Sequence, residues 1–380
     1  MNSSKRLPAL DIFRGLTIML MILVNTPGSY VNVYPLLEHA AWEGCTLADL
    51  VFPFFLFGVG FSSYFSCNKH GGVLSSTLLK KIISRTITLF LLGIIFNMFP
   101  FYQVDQGLSW ASISDAWENA RIPGILQRIA CAYLLGTVLC LWLKSTQRIL
   151  TIAALLLILH TAGLIWYNPA NPYLLEHNLS LAIDLLIPGT AHIYQGFGIP
   201  FDPEGFYGTL SAAVTVMAGF LTGRHFCTPG LSPQAAANQF AIYGIGCIAA
   251  GLIAGQWIII CKALWTASYV LLTSGIALLV LTLLVHLTES FTLPRKLLQP
   301  AQAFGMNSIF FFFASAFFAL TFAFPWFMIG PDPVYDWIYN TIFLPIYTPE
   351  FGSMLFGLCY VALCSLAAEF LYRRKIFFKI

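Results

Sequence analysis

The sequence predicts an all-α polytopic membrane protein: a bundle of about ten transmembrane helices with the N- and C-termini on the cytoplasmic side. Three observations predict this class. Of the 380 residues, 58% are hydrophobic and only 9% are charged, which is too apolar for a water-soluble domain. Apolar stretches of roughly 18 or more residues, long enough to cross a bilayer as helices, recur along the whole chain. Positive charges collect in alternate loops, as the orientation of membrane proteins requires.

The apolar stretches are separated by polar or proline-containing loops and leave no room for a sizeable soluble domain. We therefore expect a single transmembrane domain over residues 1–380. The first stretch contains Asp11 and Arg14 and is followed by no small-residue cleavage site, so we expect a retained helix rather than a signal peptide. The predicted spans are residues 10–27, 47–66, 82–99, 124–143, 149–167, 206–223, 237–259, 266–287, 301–322 and 351–371.

The positions of lysine and arginine set the predicted orientation, because these residues resist translocation and remain in short cytoplasmic loops. With ten spans, nearly all of them fall on one side, including Lys5, Arg6 and Lys379 near the two ends of the chain. Only three fall clearly on the other side: Arg121, Arg128 and Lys262. Both ends are therefore predicted to be cytoplasmic.

Composition and motifs also exclude several functions. The net charge of +3 reports this topology, so no nucleic-acid partner is expected. Nine cysteines without a CxxC pair predict neither a disulfide framework nor a cysteine metal site. The sequence contains no GxxxxGK[ST], HExxH or GxSxG motif, so nucleotide hydrolysis and metal binding are not expected.

Polar residues in or beside the spans are the best guide to function, because burying them costs free energy unless they pair, line a cavity or do chemistry. In the first span, Arg14 either pairs with Asp11 or contacts an anionic ligand that enters from the cytoplasm. His39 lies just outside the second span, where a neutral imidazole could act as a base or become acylated. Asp49 could orient that imidazole or cap the following helix. A structural role for His39 at the membrane interface is the alternative.

Two further segments carry charge on the predicted outer side. Arg121, Gln127 and Arg128 lie at the outer end of the fourth span, where the arginines could either pair with acidic loops or bind a substrate or cofactor phosphate. Asp202 and Glu204 precede the sixth span. They could complement the dipole of that helix or bind an amine or polyhydroxyl acceptor.

Taken together, an ordered set of motifs resembles the heparan-α-glucosaminide N-acetyltransferase family and its bacterial relatives. The resemblance is strongest over residues 8–310, and its strength lies in the number and order of the motifs. They are LDIFRG (10–15), VN (24–25), HAAWEG (39–44), TLADLVFP (46–53), RIPGILQR (121–128), DPEG (202–205), LWT (264–266) and GMN (305–307).

The resemblance implies a transmembrane acetyltransferase that takes acetyl-CoA from the cytoplasmic side and acetylates the amino group of a terminal glucosamine on the opposite side. The family's active-site histidine matches His39, and its asparagine at the outer end of a helix matches Asn25. This chain is expected to lack the large amino-terminal lumenal domain and the extra span of the animal members. A glucosamine-containing saccharide or cell-wall fragment in a bacterial inner membrane is then the expected acceptor, and a homodimer is a further expectation by analogy.

The predicted site follows from both lines of reasoning. The catalytic set is His39, Asn25 and Asp49, and the set for acetyl-CoA is Arg14, Arg85, Gln127 and Arg128. The acceptor set is Trp42, Arg121, Asp202, Glu204, Lys262 and Asn307. The alternative function is an amino-sugar or muropeptide transporter or flippase of the inner membrane, against which the lack of an inverted repeat argues.

Overall fold

The computed structural model describes residues 7–289 and 295–378, without the side chain of Arg295. The described chain is almost entirely helical, which confirms the predicted all-α class, and the only regular exception is a two-stranded antiparallel hairpin formed by β1 (Met328–Ile329) and β2 (Asp332–Pro333). The helices are α1 Pro8–Asn25, α2 Val51–Asn68, α3 Ser76–Asn97, α4 Trp110–Glu118, α5 Ile125–Leu143, α6 Thr146–Tyr167, α7 Leu179–Leu186, α8 Thr209–Phe226, α9 Pro233–Ala254, α10 Ala267–Glu289, α11 Arg295–Met306, α12 Ser308–Ala323, α13 Val334–Ile338 and α14 Pro349–Arg373.

Within the described residues, seven helices are long and apolar enough to cross a membrane: α1, α2 with the turn before it, α5, α6, α9, α10 and α14. Helices α3 and α8 form where spans were predicted, but α3 carries three cations in its first half and α8 ends in Arg224 and His225. Ten crossings and cytoplasmic ends therefore stay predictions. Of the cations behind the orientation, Lys5, Arg6 and Lys379 lie outside the described residues.

The predicted continuous span 301–322 is wrong in one respect, because the structure breaks it at Asn307. Helices α11 and α12 meet there at an angle of 84°, and together they could form an eighth span. The side chain of Asn307 explains the break. Its Nδ2 donates to the carbonyl of Ile376 at 2.9 Å, and its Oδ1 accepts from the N–H of Phe378 at 2.9 Å. These bonds to a distant segment hold the residue outside helical geometry.

The described residues divide into two compact units, so a single domain over 1–380 stays a prediction. The first unit comprises residues 42–44 and 52–279, and its core includes the packing of α5 between α3 and α8. Helices α2 and α8 cross in backbone contact. A Cβ atom added at Gly60 would lie 2.0 Å from the carbonyl oxygen of Val216, and one added at Gly219 would lie 2.0 Å from that of Phe57. Only glycine fits at either position.

Replacing Gly219 with leucine is expected to lower the free energy of unfolding by about 3 kcal/mol or more, because the obstructing atoms are backbone and cannot move aside. Thermal unfolding in detergent, followed by tryptophan fluorescence, measures the effect. Gly246 of α9 is the matched control, since an added Cβ there meets no atom within 4 Å. Equal unfolding temperatures for the Gly219→Leu and Gly246→Leu variants would show that the close crossing is wrong.

The second unit comprises the described parts of residues 4–41, 45–51 and 280–380. Helix α1 packs against α11, α12 and α14. Its crossing with α11 again depends on glycine: a Cβ added at Gly15 would lie 1.6 Å from the carbonyl oxygen of Ala301, and one at Gly305 would lie 1.7 Å from that of Asp11. The segment that contains His39 and Asp49 belongs to this unit.

Candidate active site

A buried carboxylate organises the turn that leads into α2. Asp49 lies in a single 3-10 turn, Ala48–Leu50, and its side chain is fully buried. One carboxylate oxygen, Oδ2, accepts hydrogen bonds from the N–H of Ala40 at 3.1 Å, the N–H of Thr46 at 3.0 Å and the hydroxyl of Thr46 at 3.1 Å. The other oxygen, Oδ1, lies 2.8 Å from Nδ1 of His39. Asp49 therefore ties His39 to the loop that follows it.

This contact fixes which nitrogen of His39 carries the proton. A carboxylate only accepts hydrogen bonds, so Nδ1 of the neutral ring must donate to Asp49 and Nε2 carries the lone pair. The side chain of His39 is 48% exposed whereas that of Asp49 is 0% exposed. The imidazole is thus oriented through Nδ1, while about half of the side chain is exposed. This is the arrangement of a histidine that acts as a base or a nucleophile.

Two further predicted residues, Asn25 and Trp42, lie in different surroundings. Asn25 is the last residue of α1 and is exposed, and its backbone carbonyl accepts a hydrogen bond from the hydroxyl of Tyr30 at 2.7 Å. Trp42, in the first unit, donates from Nε1 to the carbonyl of Tyr173 at 2.9 Å and packs edge-on against Phe201, with 5.3 Å between ring centroids. Trp42 thereby packs, within the first unit, against residues of the two loops that precede and follow α7.

Three residues predicted to bind the acceptor contact one another in the first unit. Arg121 donates from Nε and Nη2 to the two oxygens of Asp202, at 2.9 and 2.7 Å, and from Nη2 to Glu204 at 2.5 Å. Asp202 is fully buried and also accepts from the N–H groups of Tyr194 and Glu204. Burial by itself lowers the pKa of Arg121, but the hydrogen bond to Asp202 and the charge of Glu204 raise it overall. The guanidinium therefore stays charged, and its pairing matches the salt-bridge alternative considered above.

Arg128 is buried nearby with a hydrogen-bonding capacity that is only partly used. Its Nη2 donates to the carbonyl of Gly205 at 2.6 Å, and its guanidinium lies 5.3 Å from the ring centroid of Trp265. Nε and Nη1 have no hydrogen-bond partner among the described residues. The side-chain amide of Gln127 is also buried, and neither of its polar atoms has a partner there. Such groups are costly to bury, which suits a place where water or a ligand completes the bonding.

The sequence reasoning missed Asp184, which lies in the short helix α7 and is fully buried. Its Oδ1 accepts from the N–H of Phe206 at 2.9 Å. Asp184 and Arg128 therefore hold the two polar groups of one peptide unit, the Gly205 carbonyl and the Phe206 N–H. An acid inside the otherwise apolar sequence LSLAIDLL was the available signal. Burial raises the pKa of Asp184 to about 7, and the charge of Asp202 adds to the effect.

This shift makes a prediction for stability against pH. In the unfolded chain the carboxyl titrates near its ordinary value of about 3.9, so the folded protein binds the proton more tightly. The stability that Asp184 contributes should therefore fall as pH rises from about 4 to about 7, and remain level above that. Thermal unfolding of the wild type and of Asp184→Asn across this range measures it. The unfolding temperature of Asp184→Asn should rise relative to that of the wild type as pH rises. A difference in unfolding temperature that does not change with pH would contradict the prediction.

The remaining predicted residues contact different parts of the chain: Arg14, Arg85, Lys262 and Asn307. Arg14 donates from Nη2 to the hydroxyl of Ser308. Arg85 places its guanidinium 5.0 Å from the ring centroid of Tyr133. The carbonyl of Lys262 accepts from the N–H of Trp265 in the turn before α10. Asn307 uses its amide to hold the segment near residue 377, as described above.

The described residues thus form a helical membrane protein in which a buried aspartate orients an exposed histidine. The family model for "Heparan-alpha-glucosaminide N-acetyltransferase, catalytic" matches residues 6–182, which include His39, Asp49 and Arg121. Over this part, the chain is similar to the heparan-α-glucosaminide N-acetyltransferase family.

Two curated relatives align with all or nearly all of this chain. It is 28% identical to the heparan-alpha-glucosaminide N-acetyltransferase of Mus musculus over 437 aligned residues, which cover 100% of this chain and 61% of the relative. The identity to the protein of the same name from Homo sapiens is also 28%, over 99% of this chain and 60% of the relative. The chain thus spans about three fifths of the length of these relatives.

Proposed function

We propose that this chain is a transmembrane acetyltransferase, which uses cytoplasmic acetyl-CoA to acetylate the amino group of a glucosamine-type sugar on the outer face of a bacterial inner membrane. The observation that carries the proposal is the contact of 2.8 Å between His39 and Asp49. It lies within the segment that the family model matches. The contact supplies an oriented imidazole, which can act as the base or the nucleophile in acyl transfer to an amine.

The chemistry can run along two routes from the same geometry. In the first, Nε2 of His39 attacks the thioester carbonyl carbon, the carbon–sulfur bond breaks, and the thiolate of CoA leaves. The amine of the sugar then attacks the acetyl carbon and the bond to Nε2 breaks, which returns the ring to its neutral form. The proton that the amine loses passes to the CoA thiolate. In the second, Nε2 removes a proton from the amine while the amine attacks the thioester carbonyl carbon of acetyl-CoA, the carbon–sulfur bond breaks, and the imidazolium gives its proton to the departing CoA thiolate. In both routes the imidazole becomes positively charged, and the carboxylate of Asp49 at Nδ1 stabilises that charge.

Asn25 has a supporting role in this proposal. Attack on the thioester places a negative charge on the carbonyl oxygen, and a side-chain amide can donate to that oxygen. Its exposed position at the end of α1 leaves it accessible to substrate. Removal of one such donor typically slows acyl transfer by about 10² to 10³-fold.

The test is the transfer of radiolabel from acetyl-CoA to glucosamine by the purified protein in proteoliposomes. The wild type is expected to label the sugar, and His39→Ala is expected to lose at least about 10²-fold in rate. His177→Ala is the matched control, since His177 is another exposed histidine between α6 and α7. An amino-sugar carrier would instead accumulate unmodified glucosamine without releasing CoA, independently of His39. That result, from folded protein, would overturn the proposal.

A further inference from the structure

A pocket of about 290 Å³ lies in the first unit where the carboxy-terminal ends of α2, α5 and α8 meet. This volume is near the lower end of the usual range for ligand sites, about 300 to 1,000 Å³. The positive-inside rule assigns these helix ends to the cytoplasmic side. The lining residues are Tyr64, Cys67, Asn68, Gly71, Gly72, Cys140, Leu141, Lys144, Phe220 and Arg224.

The charge of the pocket is positive. Lys144 and Arg224 line it, and no carboxylate is among its described lining residues. Arg85 of α3 is a further cation of the first unit, and its guanidinium lies 5.0 Å from the ring centroid of Tyr133. The Nε of Arg85 is buried and has no hydrogen-bond partner among the described residues. The two cations of the lining repel one another unless an anion joins them, because the described lining residues include no acid.

The backbone holds these cations in place. Lys144 follows α5 directly with a φ of +60°, and its carbonyl accepts a hydrogen bond from Nη1 of Arg224. This bond joins the end of α5 to the end of α8. It uses the backbone of Lys144, so the side-chain ammonium group takes no part in it. Gly71 and Gly72, with φ of +89° and +64°, turn the chain tightly after α2, where a side chain on either residue would be strained. The pocket is therefore built by the ends of three helices and one glycine turn.

We propose that this pocket binds a phosphoryl group. Lysine supplies a point charge and arginine a planar pair of donors, the combination that suits phosphate oxygens. The phosphate could belong to the nucleotide end of the acyl donor or to the headgroup of an anionic phospholipid. The first source rests on the proposed function, whereas the second does not.

The experiment measures equilibrium binding of radiolabelled CoA and 3′-dephospho-CoA to the full-length protein, together with retention of phosphatidylglycerol in mixed-lipid nanodiscs. The variants are Lys144→Gln, Arg224→Gln and Arg224→Lys, and the control is Arg148→Gln, an exposed cation at the start of α6. Each charge loss is expected to weaken binding of the true ligand about tenfold, the effect of one charge-assisted hydrogen bond. Arg224→Lys should keep most of the affinity, and Arg148→Gln should keep all of it.

The outcomes distinguish the two sources of the phosphate and test the proposal itself. Weaker CoA binding in the two glutamine variants identifies the nucleotide as the source, and weaker binding of 3′-dephospho-CoA by the wild type places the 3′-phosphate in the pocket. Loss of phosphatidylglycerol alone identifies the lipid. If neither ligand responds in variants that unfold at the wild-type temperature, the proposal is wrong. The outcome is separate from that of the proposed function, because binding is measured without transfer and His39 lies outside the pocket lining.

Discussion

Replacing Asp49 with asparagine is expected to slow acetyl transfer by about 10² to 10⁴-fold while the protein remains folded. The reason is the tautomer of His39. Three N–H or O–H donors from Ala40 and Thr46 point at one oxygen of Asp49, so the carbonyl oxygen of asparagine must take that position. Its NH₂ group then faces Nδ1 of His39. The ring must accept there, the proton moves to Nε2, and no lone pair is left for catalysis.

The measurement is the initial rate of acetyl transfer to glucosamine, with thermal unfolding measured in parallel. Asp49→Ala is the companion variant, because it removes the loop hydrogen bonds as well and should lower both the rate and the unfolding temperature. Asp105→Asn, at an exposed acid of the loop after α3, should change neither. Wild-type rates for Asp49→Asn would show that Asp49 does not set the tautomer of His39.

Replacing Asp202 with alanine is expected to lower the free energy of unfolding by about 3–5 kcal/mol, the usual cost of removing one partner of a buried ion pair. The variant loses both hydrogen bonds from Arg121 and those from the N–H groups of Tyr194 and Glu204. Arg121 would keep only Glu204 as a charged partner.

Denaturation in detergent measures this change, and Asp105→Ala is the control, which should differ from the wild type by less than about 0.5 kcal/mol. The same variants also test the role predicted for Asp202 in binding the acceptor. If Asp202→Ala is as stable as the control but binds glucosamine poorly, the carboxylate serves the acceptor and not the fold.

The helices could be predicted from the sequence because crossing a bilayer demands about twenty apolar residues, a pattern that local composition records directly. The contact between His39 and Asp49 was also within reach, since only ten residues separate them and both flank the same helix. The break at Asn307 was not, because its cause lies about 70 residues further along the chain. The same holds for Asp184, whose partner Phe206 lies 22 residues further along the chain, in the loop before α8.

The ion pairs of Arg121 with Asp202 and Glu204 also could not be predicted from local sequence. The sequence left Arg121 open between pairing with acidic loops and binding a ligand. It left Asp202 and Glu204 open between complementing the dipole of the next helix and binding the acceptor. Local pattern could not decide, because 81 residues separate Arg121 from Asp202. The structure shows the ion pair, and the ligand-binding role stays a prediction.

The reciprocal glycine contacts between α2 and α8 limit how this part of the molecule can move. Since each backbone occupies the space next to the other helix's glycine, sliding one helix along the other by a single residue would bring a side chain to a place where only hydrogen fits. Helices α2 and α8 should therefore move together as one rigid body. Because both supply walls of the cationic pocket, the distance between those walls should be the same in the filled and the empty pocket.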